Sequence, residues 1–415
     1  LLRRHRSQEQ ARELDALLTR AFLLYGRDVS RGRVVPAAVG TQWTASPNAL
    51  DLVSVLSDAA DADEVSGWLR SIEPPQPGYR ALRRALQRYR EIARRGAWPT
   101  ALGERLAAEG YDTAAGIRAA VIEFQKLHGL ATDGVVGPAT REALDVSPAA
   151  RAEQIALNLE RWRWLPRALG DRYIVVNSAA FTLELVEHDS IVWQTRAIVG
   201  RLDWPTPIVS SVATGFSFRP TWKVPRVIAA RELLPLIQHD STYLRREHIR
   251  VYGDSSQPGE LNPATIDWSA LSESTFTYQL VQEPGGTNPL GGVKLVFRNR
   301  FSVFIHDTPT RGLFSDVRRT FSHGCVRVEQ AGQLAGQLLP EWSGDSIRAA
   351  MITGRERWVA LPDPLPVHLV YWTAWAVDDG LVAFSADPYG WDAALKPALE
   401  TGTAPPRVTM TGGLR

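Results

Sequence analysis

The dominant hydrophobic period of this chain changes near residue 166, and that change limits what it can fold into. Before it, apolar residues recur every three or four positions; after it, they mostly alternate with polar ones. In residues 8–27, Leu14, Leu17, Leu18, Phe22 and Leu23 share a helical face, and Gly26 follows as a stop. Residues 30–47 carry prolines and glycines with little periodicity, helical patterning returns at 48–60, and residues 61–72 read as a short helix. Residues 79–96 predict a strongly amphipathic helix, with Leu82, Leu86, Tyr89 and Ile92 on one side and arginines on the other. A small unit follows: Ile117, Val121, Phe124 and Leu127 form one buried stripe, Gly129 ends that helix, Asp133-Gly134 turns, and Pro138 opens the next. Residues 155–166 read as the last helix of this series.

From there strands are expected at 172–177, 180–187, 190–200, 275–283, 292–297 and 301–307. A helical run at 227–246 interrupts them, and a helix at 328–339 follows the last. A terminal hairpin is expected from "VHLVYWTAW" and "LVAFSAD", turning at Asp378-Asp379-Gly380. At 415 residues the chain is too long for one ordinary core, so an α+β fold of several domains is expected.

Near-balanced charge, +2 overall, argues against nucleic acid as a partner. The fourteen tryptophans read mainly as core fillers. No stretch of about 18 apolar residues is present. A membrane anchor or signal segment would have to lie in chain outside this sequence, which opens "LLRRHRSQEQ".

The one cysteine, Cys325, excludes a disulfide scaffold. It sits in "FSHGCVRVEQ", flanked by His323-Gly324 and Val326-Arg327. A free cysteine is often a small hydrophobe, but a glycine, an arginine and nearby histidines are poor company for that role. An ordinary thiol is only a few per cent thiolate at neutral pH and needs a base or a cation beside it. Two histidines qualify: His323, two residues earlier, and His306, at the end of the run "FSVFIHD". His128, His188, His239, His248 and His368 read as ordinary surface or core residues. A structural zinc site would want four Cys/His ligands, so neither metal nor cofactor is expected.

"SHGCVRV" preceded by "FIHDTP" resembles the L,D-transpeptidases, the YkuD-domain family of bacterial cell-wall enzymes. "LNLERWRWLP", "IVGRLDWPTP", "WKVP" and "GGTNPLGGVKLVF" run in the order of the large multidomain Gram-negative members. "VIEFQKLHGLATDGVVGPATREAL" is similar to a three-helix peptidoglycan-binding module. The resemblance implies a helical scaffold over 1–100, a peptidoglycan-binding-like domain over 101–148 and a β-rich catalytic domain over 150–352. It also implies a helical lid insertion at 215–275 and a hairpin and tail over 353–415. It makes Cys325 the nucleophile and His306 the general base, with the Asp307 carbonyl orienting the imidazole. The backbone N–H groups of His323, Gly324 and Cys325 would form an oxyanion hole, and Arg327 would hold the site or a substrate carboxylate. Trp222, Tyr243 and Trp268 are the lid's candidate contacts.

The reaction so implied joins two tetrapeptide stems through a cysteine thioester into a diaminopimelate–diaminopimelate cross-link, in the periplasm, with carbapenems as inhibitors. Water as acceptor gives an L,D-carboxypeptidase, and a lipoprotein lysine an anchoring enzyme. A wall-binding scaffold without catalysis and a papain-like peptidase are the alternatives from other classes.

Overall fold

The structure is a computed structural model that describes residues 8–40, 43, 50–61, 65–254, 258–377 and 380–401. It divides into two compact units, residues 1–193, 207–210 and 368–415 forming one, and 194–206 and 211–367 the other.

The first unit is mainly helical. The expected helix at 79–96 runs Pro77–Arg95 and buries Tyr79, Leu82, Ala85 and Tyr89. It packs on the helix Pro148–Arg163, and together their apolar faces make one core with Trp162, Leu165 and Phe384. Proline opens both helices at the first turn, where its missing N–H costs nothing. Helices Leu102–Glu109, Ile117–Leu127 and Pro138–Asp145 close a small core around Phe124 and Tyr111. Strands β1 (Arg172–Asn177) and β2 (Thr182–Glu187) pair as an antiparallel hairpin in this unit.

The second unit carries a mixed sheet. Its strands are β3 (Ser190–Gly200), β4 (Val209–Phe218), β9 (Val293–Phe297), β10 (Ile305–His306), β11 (Thr320–Ser322), β12 (Val326–Val328) and β13 (Arg357–Val370), in the spatial order β11-β3-β12-β10-β9-β4-β13. Between β4 and β9 lie β5 (Trp222–Lys223), β6 (Ile249–Tyr252), β7 (Glu260–Leu261) and β8 (Gln279–Gln282), which form a separate four-stranded sheet ordered β5-β8-β6-β7. Alternation in "VKLVF" fits its place: Val293, Leu295 and Phe297 are buried, Lys294 and Val296 half-buried. Helices Ala331–Leu338 and Gly344–Ile352 follow β12 and pack on each other.

Several elements differ from their sequence expectation: the first helix runs Gln8–Arg31, through Gly26 rather than stopping there, because the apolar face continues to Val29, and the strand expected over 301–307 is only Ile305–His306. The run 275–283 does not rejoin the large sheet; it supplies β8, an inner strand of the small one, so the insertion is part helix and part sheet. The single helix expected over 227–246 is broken. Ala229–Leu233 is a π turn, followed by Leu234–His239 and Tyr243–Arg246. Pro235 explains the widening, since it has no N–H for the usual bond and its ring crowds the carbonyl four residues back. The terminal hairpin is also shorter: residues 367–370 end the long β13, while β14 (Ala374–Ala376) pairs with β15 (Val382–Phe384). Asp378 and Asp379 of the expected turn lie outside the described residues, as do most of 41–49. No helix among the described residues is long and apolar enough to cross a membrane.

Candidate active site

The site is set by strand register. In the antiparallel pair β9–β10, His306 lies opposite Lys294; in the parallel pair β10–β12, His306 lies beside Arg327. Directly paired residues share a face of a sheet. Lys294, His306 and Arg327 therefore form one row across three strands, on one face. The neighbouring row, Leu295, Ile305 and Val326, points the other way into the core. The ladder continues below β12, where Val326 N–H donates to Phe304 O at 2.9 Å. That extension puts Cys325 next to Phe304, one pleat from His306 on the same face.

His306 is 4% exposed. Its Nδ1 donates to the Asp307 carbonyl at 2.5 Å, which fixes the tautomer and leaves Nε2 with the lone pair. Burial and then Arg327 drive its pKa down to about 3, against the Asp307 and Leu290 carbonyls. The ring is thus neutral, as a base must be. Burial raises the pKa of the half-buried Cys325 thiol, opposed by the Phe304 backbone, Arg327 and Lys294. The thiol contacts the Ser302 carbonyl at 4.0 Å, and no hydrogen bond joins it to His306 or His323 among the described residues.

The loop around Cys325 is held from below. Gly324 has φ +98°, a conformation favouring glycine. Ser322 Oγ accepts from Gly324 N at 3.1 Å and donates to the Cys325 carbonyl. Thr206 Oγ1 donates to the Gly324 carbonyl at 2.9 Å and accepts from Gly200 N at 2.8 Å. Gly200 is required there, because a Cβ would stand 2.0 Å from the Trp204 carbonyl.

Several expected residues are engaged otherwise. The Gly324 amide, expected to donate to an oxyanion, is committed to Ser322; the amides of His323 and Cys325 make no hydrogen bond among the described residues. Of Asp307, only the carbonyl faces the site chemistry. Its carboxylate accepts from Arg311 Nη2 at 2.7 Å and from Gly292 N at 2.9 Å, so it is closed to a substrate. Trp222, Tyr243 and Trp268 pack against the insertion's own apolar core, and Trp268 Nε1 donates to the Pro263 carbonyl. The insertion's aromatic and aliphatic side chains cover one another before any ligand.

His323 is engaged by a carboxylate instead of the thiol. Its Nε2 donates to Glu232 Oε1 at 2.7 Å, and Arg201 Nη2 reaches the same oxygen at 3.0 Å. Burial tends to raise the Glu232 pKa, but His323 and Arg201 outweigh it and keep the carboxyl ionised. Trp204 stands edge-on to His323 at 5.2 Å and packs against the insertion's core. Glu232 belongs to the π turn, so the insertion is pinned to the cysteine loop through one carboxylate.

Glu232, Trp204 and Lys294 were not singled out from sequence. For Lys294 a signal existed: positions 126, 223, 294 and 396 are the only lysines in a chain rich in arginine. Among the described residues no cluster of three or more His, Cys, Asp or Glu side chains is placed to hold a metal ion. What this arrangement can do chemically is nucleophilic acyl transfer, with a thiol, a neutral imidazole in a fixed tautomer and two cations on one face.

Residues 171–351 match the family described as the L,D-transpeptidase catalytic domain. Residues 1–86 match a scaffold domain, and residues 100–144 the family described as "Putative peptidoglycan binding domain". A protein of Haemophilus influenzae named "Putative L,D-transpeptidase" is 30% identical over 242 residues, 58% of this chain and 48% of that protein. The chain thus spans about half the length of that curated relative. Among solved structures, the L,D-transpeptidase from Xylanimonas cellulosilytica is 18% identical, covering 66% of this chain and 94% of that one, with a TM-score of 0.23. The L,D-transpeptidase from Mycobacterium smegmatis is 14% identical, covering 48% and 58%, with a TM-score of 0.21. Residues 171–351 thus match the YkuD L,D-transpeptidase catalytic domain, within a mixed α+β fold in which residues 100–144 match a peptidoglycan-binding-type module.

Proposed function

We propose that this protein is an L,D-transpeptidase that cross-links peptidoglycan through a Cys325 thioester. The observation that carries the reading is the row of register-paired residues, which sets a carbonyl-anchored neutral His306 on the same face as the thiol. The substrate is a tetrapeptide stem. His306 Nε2 takes the Cys325 proton as Sγ attacks the carbonyl of the L-centre of diaminopimelate. The oxygen's developing charge is met by the unengaged amides of His323 and Cys325. The C–N bond breaks, His306 returns the proton to the departing amine, and D-alanine leaves. The amine of a second stem's diaminopimelate then attacks the thioester, giving the direct cross-link and the free thiol. Because the thiol contacts the Ser302 carbonyl at rest, a turn about its χ1 precedes the proton transfer.

The site of action is the periplasm, and carbapenems, acylating the same sulfur, are its inhibitors. Water or a lipoprotein lysine as second nucleophile uses the same first step. Incubation with purified disaccharide tetrapeptide, followed by mass spectrometry, separates these outcomes. Cross-linked dimer supports transpeptidation, tripeptide alone supports the L,D-carboxypeptidase, and unchanged substrate with an unacylated protein overturns the enzyme reading.

A further inference from the structure

Lys294 is the member of the basic row to which the sequence pattern assigned no role, and the reaction above does not use it. It lies on β9 directly opposite His306, so it flanks the base on the side away from Arg327. With neighbouring strands about 4.8 Å apart, the Cα atoms of Lys294 and Arg327 are about 10 Å apart, with the imidazole between them. The Lys294 ammonium stands 4.9 Å from the centre of the Phe304 ring, on the face that carries Cys325. Phe304 and the neighbouring strands leave it half-buried, and burial pulls its pKa below the usual lysine value. Its acidic neighbour is Glu356, whose two oxygens already accept from Ser217 Oγ at 2.7 Å and Thr221 Oγ1 at 2.7 Å. No carboxylate lies within ion-pair distance of Lys294 or Arg327 among the described residues, and Arg327 Nε is buried without a partner. Two half-buried cations without closed ion pairs favour an anionic occupant, since a partly buried charge costs free energy until it is paired.

We propose that Lys294 is a specificity residue that binds a carboxylate of the acyl donor beside the scissile amide. The site then takes a donor with two carboxylates, one toward Lys294 and the other toward Arg327. This rests on the transpeptidase reading, whose donor stem has a carboxylate on the D-centre of diaminopimelate and another on the terminal D-alanine.

The test compares wild type, Lys294→Met and Lys294→Arg on three donors: the native tetrapeptide and the two forms amidated at one carboxylate each. On the native donor, Lys294→Met is expected to lower kcat/KM about 10- to 100-fold, mainly through KM, with Lys294→Arg restoring most of it. On one of the amidated donors the wild type drops by a similar factor, and Lys294→Met makes no further difference. An equal loss on all three donors, or no loss on the native one, overturns the proposal. So does alkylation by neutral iodoacetamide slowing as much as turnover, which would assign Lys294 to the thiolate alone. Failure of the underlying reading looks different: the wild type then releases no D-alanine from the native donor.

Discussion

His306 and His128 are a matched pair in different company. Each is more than nine-tenths buried and each passes Nδ1 to a backbone carbonyl, Asp307 in one case and Phe124 at 2.8 Å in the other. Burial drives both pKa values down to about 3. The difference lies in the neighbours. His128 stacks on the Phe124 ring at 3.8 Å, near the Glu109 carboxylate, which is paired with Arg105 at 2.6 Å and with the Tyr89 hydroxyl at 2.8 Å. There Glu109 is paired, Arg151 is held by the Gln154 side chain and the Ala143 carbonyl, no thiol is near, and the imidazole is packing material. His306 stands between Lys294 and Arg327, whose charges are not closed, on the face of the one thiol in the chain. A strongly shifted pKa therefore does not mark a site by itself; a shifted base on the same face as a nucleophile is the better candidate.

The comparison breaks most sharply at the thiol. Cys325→Ala is expected to lower turnover by about four orders of magnitude or more with the fold intact, since a small loop side chain is lost. Product release by mass spectrometry and circular dichroism check both halves. His306→Ala is expected to cut the rate of Cys325 acylation by about 10²- to 10⁴-fold while substrate still binds, as read by single-turnover acylation. His128→Ala should leave that rate unchanged and instead destabilise the module by about 2–4 kcal/mol, because it removes a ring stacked in a small core. A thermal melt of the pair of variants separates the two roles, and equal effects on acylation would dissolve the distinction.

Both histidines also tie stability to pH in the same direction. Their folded pKa is about 3, against about 6.5 in the unfolded chain, so below pH 6.5 only the unfolded chain takes up these protons. The stability they permit is full above pH 6.5 and falls as pH drops toward 3. The melting temperature should decline across that window, less steeply in His128→Ala. Acylation kinetics sharpen the point differently. With the thiol pKa raised, the alkylation rate at Cys325 should keep climbing above pH 8.5, the value for an unperturbed thiol. The smallest expected effect is that of Glu232→Gln, which weakens the hold on His323 and Arg201. Hydrogen exchange should quicken over 226–239 with only a several-fold change in turnover.

Sequence reasoning could offer a candidate chemistry because its signals are local. One cysteine, its glycine and arginine, and a histidine at a strand end are visible as neighbours or near neighbours. Helices at 77–95 and 117–127 were legible for a similar reason, since an apolar stripe every three or four residues needs no tertiary partner to be read. The insertion was misread where local pattern and tertiary choice part. "TFTYQLVQE" is a strand in any sheet, and nothing in its alternation says which sheet it joins.

What the chain order alone supplied was a candidate nucleophile, a candidate base and the change from helical to strand architecture. Tertiary structure alone decided that Lys294, His306 and Arg327 make one row, because register between strands 12 and 21 residues apart is fixed by the pairing of buried faces. It also decided that the Gly324 amide is taken by Ser322 and that His323 belongs to Glu232. Hydrogen-bond partners depend on distances across the fold, and a one-residue slip of β10 would have turned the imidazole away from the cations and into the core.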